Sequence, residues 1–473
     1  MFCSERGIFL SSRVVSIPRE IIDVFSRAGG ASFLVRGDPG SGKTIFALSV
    51  CKAFSGSNEC FYVTARSTAD EVKRYYPIAE ELLDERRVID ATESKAEVGL
   101  ETAVSLRMYD KPSFLQKLYS MTKAEEKAPI IVIDSLEALK ASLKIPDGDV
   151  SFEEALIDIG RETNGKILFV SERTEKSFLD YLVDGVISLQ KENRNGFFLR
   201  LIRIEKMRGV SIAHPVYLFT LEGGAFNAVS FEALSMSQKV IRANAKFELI
   251  YREPAIDGHV STGIKRLDDL IGGYLKGSLN LIEIERGVGE LYDYFYLPTV
   301  INHVIGGGKV FLIPPGGLSA DFMKHVLTSI LPEAKVKKEV VIAEYGEKTN
   351  DAVTMLKGDD LLQDAELIFQ HLEEGGLLVA GMDTLQHIYG LDELKRSLGR
   401  LIARVKRSRI VMVGIVKYGQ EVIDLLNHLA DTHLKVGNVN GNVVAYGIIP
   451  HTPVFHPFLA EGRVLEVGIT VIM

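Results

Sequence analysis

Gly37-Asp38-Pro39-Gly40-Ser41-Gly42-Lys43-Thr44 stands between an apolar run, Ala31-Ser32-Phe33-Leu34-Val35, and a helical run through Ile45, Phe46, Ala47 and Leu48. This is a complete G-x-x-x-x-G-K-T loop in the strand–loop–helix setting the motif requires. Its glycines let backbone N–H groups wrap a phosphate chain, and the helix N-terminus adds its positive dipole end. The pattern assigns residues 37–44 to binding ATP, with Lys43 reaching the β- and γ-phosphates and the Thr44 hydroxyl ligating Mg²⁺.

Working outward, the chain repeats itself. Gly30 to Thr44 aligns with Gly277 to Leu291, Phe61-Tyr62-Val63-Thr64 with Val310-Phe311-Leu312-Ile313, and Asp134-Ser135 with Asp383-Thr384. Leu182-Val183-Asp184-Gly185 aligns with Leu429-Ala430-Asp431-Thr432, every pair being 247 or 249 residues apart. A register held over four segments implies two copies of one domain. The expected organisation is an ATP-binding domain at 1–228, a linker at 229–256 and a degenerate copy at 257–473. Within copy one, Phe33–Val35, Phe61–Thr64, Ile130–Ile133 and Ile167–Val170 are apolar on both faces and separated by helical stretches, as buried parallel strands are. From Gly185 to about Phe226 the strands shorten around a turn signal, Asn193-Arg194-Asn195-Gly196, which predicts an antiparallel extension. The fold class is α/β: two tandem doubly wound domains with mainly parallel sheets.

Asp134 ends the strand Ile130–Ile133 at the carboxyl edge, where open α/β sheets bind ligands, and is assigned to the Mg²⁺ shell together with Thr44. Ser135 is available to cap the following helix. Hydrolysis also needs a group to orient the attacking water. Glu172, after Lys166–Val170 and Ser171, is the candidate at that edge; Glu137, one turn past Asp134, reads better as a helix-starting glutamate. Arg203-Ile204-Glu205-Lys206-Met207-Arg208-Gly209 alternates like an edge strand and places Lys206 and Arg208 on one face.

GDPGSGKT at 37–44, IIVIDS at 130–135, FVSE at 169–172, LVDGVISL at 182–189, KMRG at 206–209 and STGIKRLDDLIGG at 261–273 together resemble the RecA superfamily, in its branch typified by the circadian-clock ATPase KaiC. The resemblance covers nearly the whole chain. It implies RecA-like domains and a homo-oligomeric ring, with a hexamer as the expected size, in which Lys206 and Arg208 reach the γ-phosphate of a neighbouring subunit. The pattern departs from that branch after the second strand, where paired glutamates give way to Arg66-Ser67. An arginine accepts no proton at neutral pH, so slow hydrolysis is expected. Arg66, with Ile17-Pro18-Arg19-Glu20 and Val88-Ile89-Asp90-Ala91-Thr92, also resembles, more weakly, the archaeal gas-vesicle regulatory protein D family. That resemblance implies a P-loop regulator repressing gene expression through a partner activator.

In copy two the loop reads Ile284-Glu285-Arg286-Gly287-Val288-Gly289-Glu290-Leu291, with Glu290 in place of the lysine and Leu291 in place of the metal-binding hydroxyl. A carboxylate facing a triphosphate repels it, so this copy reads as a scaffold or interaction domain. Its basic run, Lys395 to Arg409, alternates with Leu398, Leu401, Ile402 and Val405 at helical spacing, as an amphipathic helix with a basic solvent face does.

The bulk numbers fit this reading. With 473 residues, 46% apolar and 25% charged, the chain has the composition of a multidomain globular protein. A net charge of −8 disfavours a general nucleic-acid coat. Cys3, Cys51 and Cys60 lack metal spacing and read as reduced thiols. The start, MFCSERGIFLSSR, is too short and charged for a signal peptide, and no run reaches the ~18 apolar residues of a spanning helix. The expectation is a cytoplasmic ATP-binding regulatory protein acting through a protein partner, with no membrane; the competing reading is a DNA-repair recombinase paralogue on single-stranded DNA.

Overall fold

The computed structural model describes residues 15–92, 110–194, 196–345 and 353–473. The first 14 residues, with Cys3, and Asn195 of the predicted turn lie outside them. The chain divides into two compact units, 1–230 with 472–473, and 231–471.

Among the described residues the first unit carries nine strands: β1 (Ala31–Gly37), β2 (Glu59–Thr64), β3 (Val88–Asp90), β4 (Pro129–Asp134), β5 (Lys166–Ser171), β6 (Gly185–Arg194), β7 (Phe197–Met207), β8 (Val216–Thr220) and β9 (Asn227–Ala228). Their order is β3-β2-β4-β5-β1-β6-β7-β8-β9. The pairs from β3 to β6 are parallel, and β6–β7, β7–β8 and β8–β9 are antiparallel. The predicted α/β architecture with an antiparallel extension is therefore the observed one. Period two explains why the central strands need helices on both sides. Leu34, Phe61, Val63, Ile131, Ile133, Ile167 and Phe169 enter one core, while Phe33, Val35, Tyr62, Val132 and Val170 are equally buried on the other face.

The second unit repeats the plan with β10 (His259–Val260), β11 (Tyr274–Leu275), β12 (Leu279–Ile284), β13 (Val310–Ile313), β14 (Val340–Tyr345), β15 (Val353–Leu356), β16 (Leu377–Gly381), β17 (Val411–Lys417), β18 (Thr432–Val439), β19 (Asn442–Ile449), β20 (Phe455–Leu459) and β21 (Val467–Val471). Its main sheet runs β15-β14-β13-β16-β17-β12-β18-β19-β20-β21. This is the first sheet's order with an added parallel edge strand, β15. The repeat extends to individual bonds. Asp184 accepts from the Ser32 amide at 3.0 Å and donates its own amide to the Ser32 carbonyl; Asp431 does both with Leu279.

Of residues 229–256, read from sequence as a linker, 229–230 belong to the first unit and 231–256 to the second. They include a helix, Met236–Ala243, closed by a reciprocal Ser235/Gln238 capping box, whose Met236 and Val240 enter that unit's core. The basic run lies on the helix Met382–Arg407, with Leu394, Leu398, Leu401, Ile402 and Val405 buried. Five of its seven cations meet acids: Arg404 meets Glu366, Lys406 meets Asp431, Lys395 meets Glu421, Arg396 meets Glu393, and Arg409 beyond the helix meets Glu374. Among the described residues no helix is long and apolar enough to cross a membrane.

Candidate functional site

β1, β2, β4 and β5 bring the P-loop, Arg66, Asp134 and Glu172 to the carboxyl edge of the parallel sheet, whereas antiparallel β7 carries Lys206 and Arg208 to its opposite, amino edge, level with the start of β6. β1 ends in the loop, and the helix Lys43–Phe54 leaves it with Gly42 as its N-cap at φ 104°. Two loop positions require glycine, Gly37 for lack of room and Gly42 for its left-handed backbone. A Cβ on Gly37 would lie 2.1 Å from the Leu189 carbonyl oxygen, and one on Gly42 would lie 2.8 Å from the Leu221 side chain. In register, Thr64 of β2 faces Asp134 of β4, which faces Val170 of β5.

Lys43 is buried, and its ammonium donates to the carbonyls of Gly37 at 2.5 Å and Asp38 at 3.1 Å. Burial pulls it below the ordinary lysine range, opposed by Asp134, Asp38 and Glu137. Thr44 Oγ1 donates to Asp134 Oδ2 at 2.7 Å, and the Tyr62 phenol donates to the same oxygen at 2.7 Å. Burial pushes the Asp134 carboxyl above the usual range, while Thr44, Tyr62, Lys43 and Arg66 favour its charged form. Ser135 caps the next helix through the Ala138 amide, which leaves Asp134 to the site. Within the loop, the Ser41 hydroxyl is fully buried without a hydrogen-bond partner.

These features fit a magnesium nucleotide. A wrapped loop, a buried ammonium, an unmatched buried hydroxyl, and a hydroxyl and carboxylate aimed at one spot are the donors and acceptors that Mg-ATP requires. Among the described residues no group of three or more His, Cys, Asp or Glu could hold a metal ion. A cation here would therefore complete its shell with phosphate oxygens and water around Thr44 and Asp134.

The remaining predicted residues are placed differently. Glu172 forms an ion pair with Arg66. Glu137 accepts from the Ser171 hydroxyl and, at 3.2 Å, from the Glu172 amide, so it braces the end of β5. Lys206 donates to the carbonyls of Asp180, Tyr181 and Val183 at 2.7, 3.3 and 2.6 Å. Arg208 pairs with Asp184 at 3.3 Å and donates to the Tyr181 carbonyl. Both cations thus anchor the 180–184 segment of their own chain.

Sequence reasoning missed Tyr62, Arg200, Lys191 and Arg36. Tyr62 was within reach of the period-two pattern, which puts it on the same strand face as Thr64. Arg200 on β7 donates to the carbonyls of Gly40 and Ser41, both at 3.3 Å, and to that of Met473 at 2.6 Å. The Lys191 ammonium on β6 lies 2.9 Å from where a Gly40 Cβ would be. Arg36, almost wholly buried, pairs with Asp180 at 2.8 Å and with Glu205, and holds Ser188 at 3.1 Å. Losing one partner of such a network strands a buried charge.

The corresponding region of the second unit is closed by its own side chains. Asp383, at the Asp134 position, pairs with Lys417 at 3.1 Å and accepts from the Gly316 amide at 2.9 Å. Glu290 accepts from Gln238 at 3.3 Å. The helix that should follow the loop is reduced to a 3-10 turn, Leu291–Phe295, before Leu297–Ile305 begins.

Comparison with known proteins agrees with this geometry. The family model described as GvpD gas vesicle protein, P-loop domain, matches residues 21–205. Protein GvpD2 of Halobacterium salinarum is 26% identical over 466 residues, covering 93% of each chain, and protein GvpD1 of the same organism is 24% identical with the same coverage. The circadian clock protein KaiC2 of Synechocystis is 23% identical over 276 residues, 55% of this chain and 45% of its own length. The gas-vesicle similarity is thus the stronger, which reverses the order of resemblance read from the motifs. The departure at Arg66-Ser67 had pointed that way. Fold, loop and similarities together make this chain a P-loop protein of the RecA ATPase superfamily.

Proposed function

We propose that the chain is an ATP-dependent regulatory protein of the GvpD type, in which the first unit binds Mg-ATP and the second serves as a scaffold for contact with a protein partner. The observation that carries this reading is the asymmetry of the two sites. Lys43, Thr44 and Asp134 converge in the first, whereas Glu290, Leu291 and the Lys417–Asp383 pair replace them in the second. The process implied by the similarity is control of gas-vesicle gene expression through a partner activator. Capture of partners from native lysate with and without a non-hydrolysable ATP analogue tests it. A partner set that does not change with nucleotide rules out the switch. The competing recombinase reading needs a free basic surface, and the ion pairing of Arg404, Lys406, Lys395 and Arg409 counts against it.

Turnover is expected to be slow. Glu172 is the candidate to orient water, and Arg66 engages its carboxylate. Steady-state hydrolysis should fall below the ~1 s⁻¹ lower end of ordinary enzymes. Tens of turnovers per second would show that an effective base is at work.

In a ring of like subunits, Lys206 and Arg208 would complete a neighbour's site while Lys43 serves its own. The 180–184 segment they hold, with Tyr181 71% exposed, supplies a surface for such a neighbour. Mixing Lys43→Ala with Arg208→Ala subunits should then restore part of the activity, because some interfaces pair an intact loop with an intact arginine. A monomer by light scattering in Mg-ATP, or no recovery after subunit exchange, excludes the trans arrangement.

A further inference from the structure

We propose that Arg66 recognises the terminal phosphate of a nucleoside triphosphate in cis, leaving Glu172 to do so, and thereby lets the site tell ATP from ADP. This deepens the reading of the first site as a nucleotide site and rests on it.

Position comes first. Arg66 follows β2 directly, where the Ala65 amide donates to the Asp134 main-chain carbonyl at 3.0 Å. Its backbone thus leaves the sheet next to the residue assigned to the metal, and its guanidinium meets Glu172, which follows the neighbouring β5. Its charge is felt by both Lys43 and Asp134, so it stands within electrostatic reach of the loop's lysine and the metal's carboxylate together.

Freedom comes second. The Arg66 side chain is 66% exposed and Glu172 38% exposed, so their pairing is a surface ion pair, which is a weak hold. A terminal phosphate offers the guanidinium the same bidentate, charge-assisted fork as a carboxylate and carries more negative charge. The exchange from carboxylate to phosphate is therefore favoured. Lys206 and Arg208 cannot serve this loop in cis, because they lie at the opposite, amino edge of the sheet, anchored on the 180–184 segment. Arg66 has no such anchorage among the described residues.

Consequence comes third. Moving Arg66 frees the Glu172 carboxylate, whose amide stays fixed by Glu137. The residue that orients water is thus uncovered only when a terminal phosphate is in place. The arginine that replaces the family's glutamates would then act as a sensor rather than a defect.

The test is a titration of the full-length protein with fluorescent ATP and ADP analogues in Mg²⁺. Wild type should prefer the triphosphate. Arg66→Ala should lose about tenfold or more in triphosphate affinity and less than about twofold in diphosphate affinity. Glu172→Gln, which removes the competing charge, should raise triphosphate affinity severalfold. Equal losses for both nucleotides, or no change in Arg66→Ala while wild type binds both, overturn the sensor and leave the nucleotide site standing. A wild-type protein that binds neither nucleotide overturns the site itself, and the sensor with it.

Discussion

Lys43→Ala is expected to lower ATP affinity by at least about a hundredfold and to leave no nucleotide bound anywhere on the chain at micromolar concentrations. One charge–charge contact near 4 Å is worth about 4 kcal/mol at the effective dielectric of a protein surface, and each 1.4 kcal/mol is tenfold. The second unit offers no compensation, since Glu290 stands where its lysine would be and Lys417 already holds Asp383. The variant should still fold. Burial disfavours the charged form of Lys43 in the native state, and the carbonyls of Gly37 and Asp38 that it holds lie on a loop. Equilibrium dialysis with labelled ATP measures the stoichiometry directly. Near-normal binding in a variant whose melting temperature is unchanged would place the nucleotide elsewhere.

How much of this was legible before the structure divides along physical lines. Local patterns were readable: the loop glycines, the apolar runs of β1, β2, β4 and β5, and the helical spacing of Leu398 to Val405 each encode their own conformation. The repeat was readable because Asp184 and Asp431 make the same bond to β1 and β12, so both copies keep the same residue. Pairings between side chains far apart in sequence were not. Arg66 meets Glu172 across β4, and Arg36 meets Asp180 and Glu205, only once strand order is known. The segment 229–256 read as linker because it falls between the two aligned copies of the repeat. Its role depends on which unit its eight-residue helix packs against, and nothing within the segment encodes that. The basic run looked available because its acids, Glu366, Glu374, Glu421 and Asp431, come from other elements.

Asp293→Ala should be the most damaging single change in the second unit. Asp293 is buried, and its carboxylate gathers the start of the helix Met236–Ala243, accepting from the Met236 amide at 2.9 Å, the Ser237 amide at 2.8 Å and the Ser237 hydroxyl at 2.7 Å. Alanine leaves these donors buried without an acceptor, at about 1–3 kcal/mol each before relaxation. A net loss of about 3–5 kcal/mol is expected, in the range of a broken buried network. Amide hydrogen exchange in residues 236–243 of the full chain should accelerate with it. The pH dependence separates the charge from the shape. Burial pushes the Asp293 carboxyl up to about 6 from an ordinary 3.8, so the native state binds its proton more tightly than the unfolded state does. Its contribution is therefore most favourable below pH about 4 and is lost as pH rises through about 6. Asp293→Asn keeps the shape and removes the titration. The stability difference between wild type and Asp293→Asn should shift towards the variant between pH 4 and 6, and stay level above. Unchanged exchange at 236–243 in Asp293→Ala would mean that the helix is held by Met236 and Val240 alone.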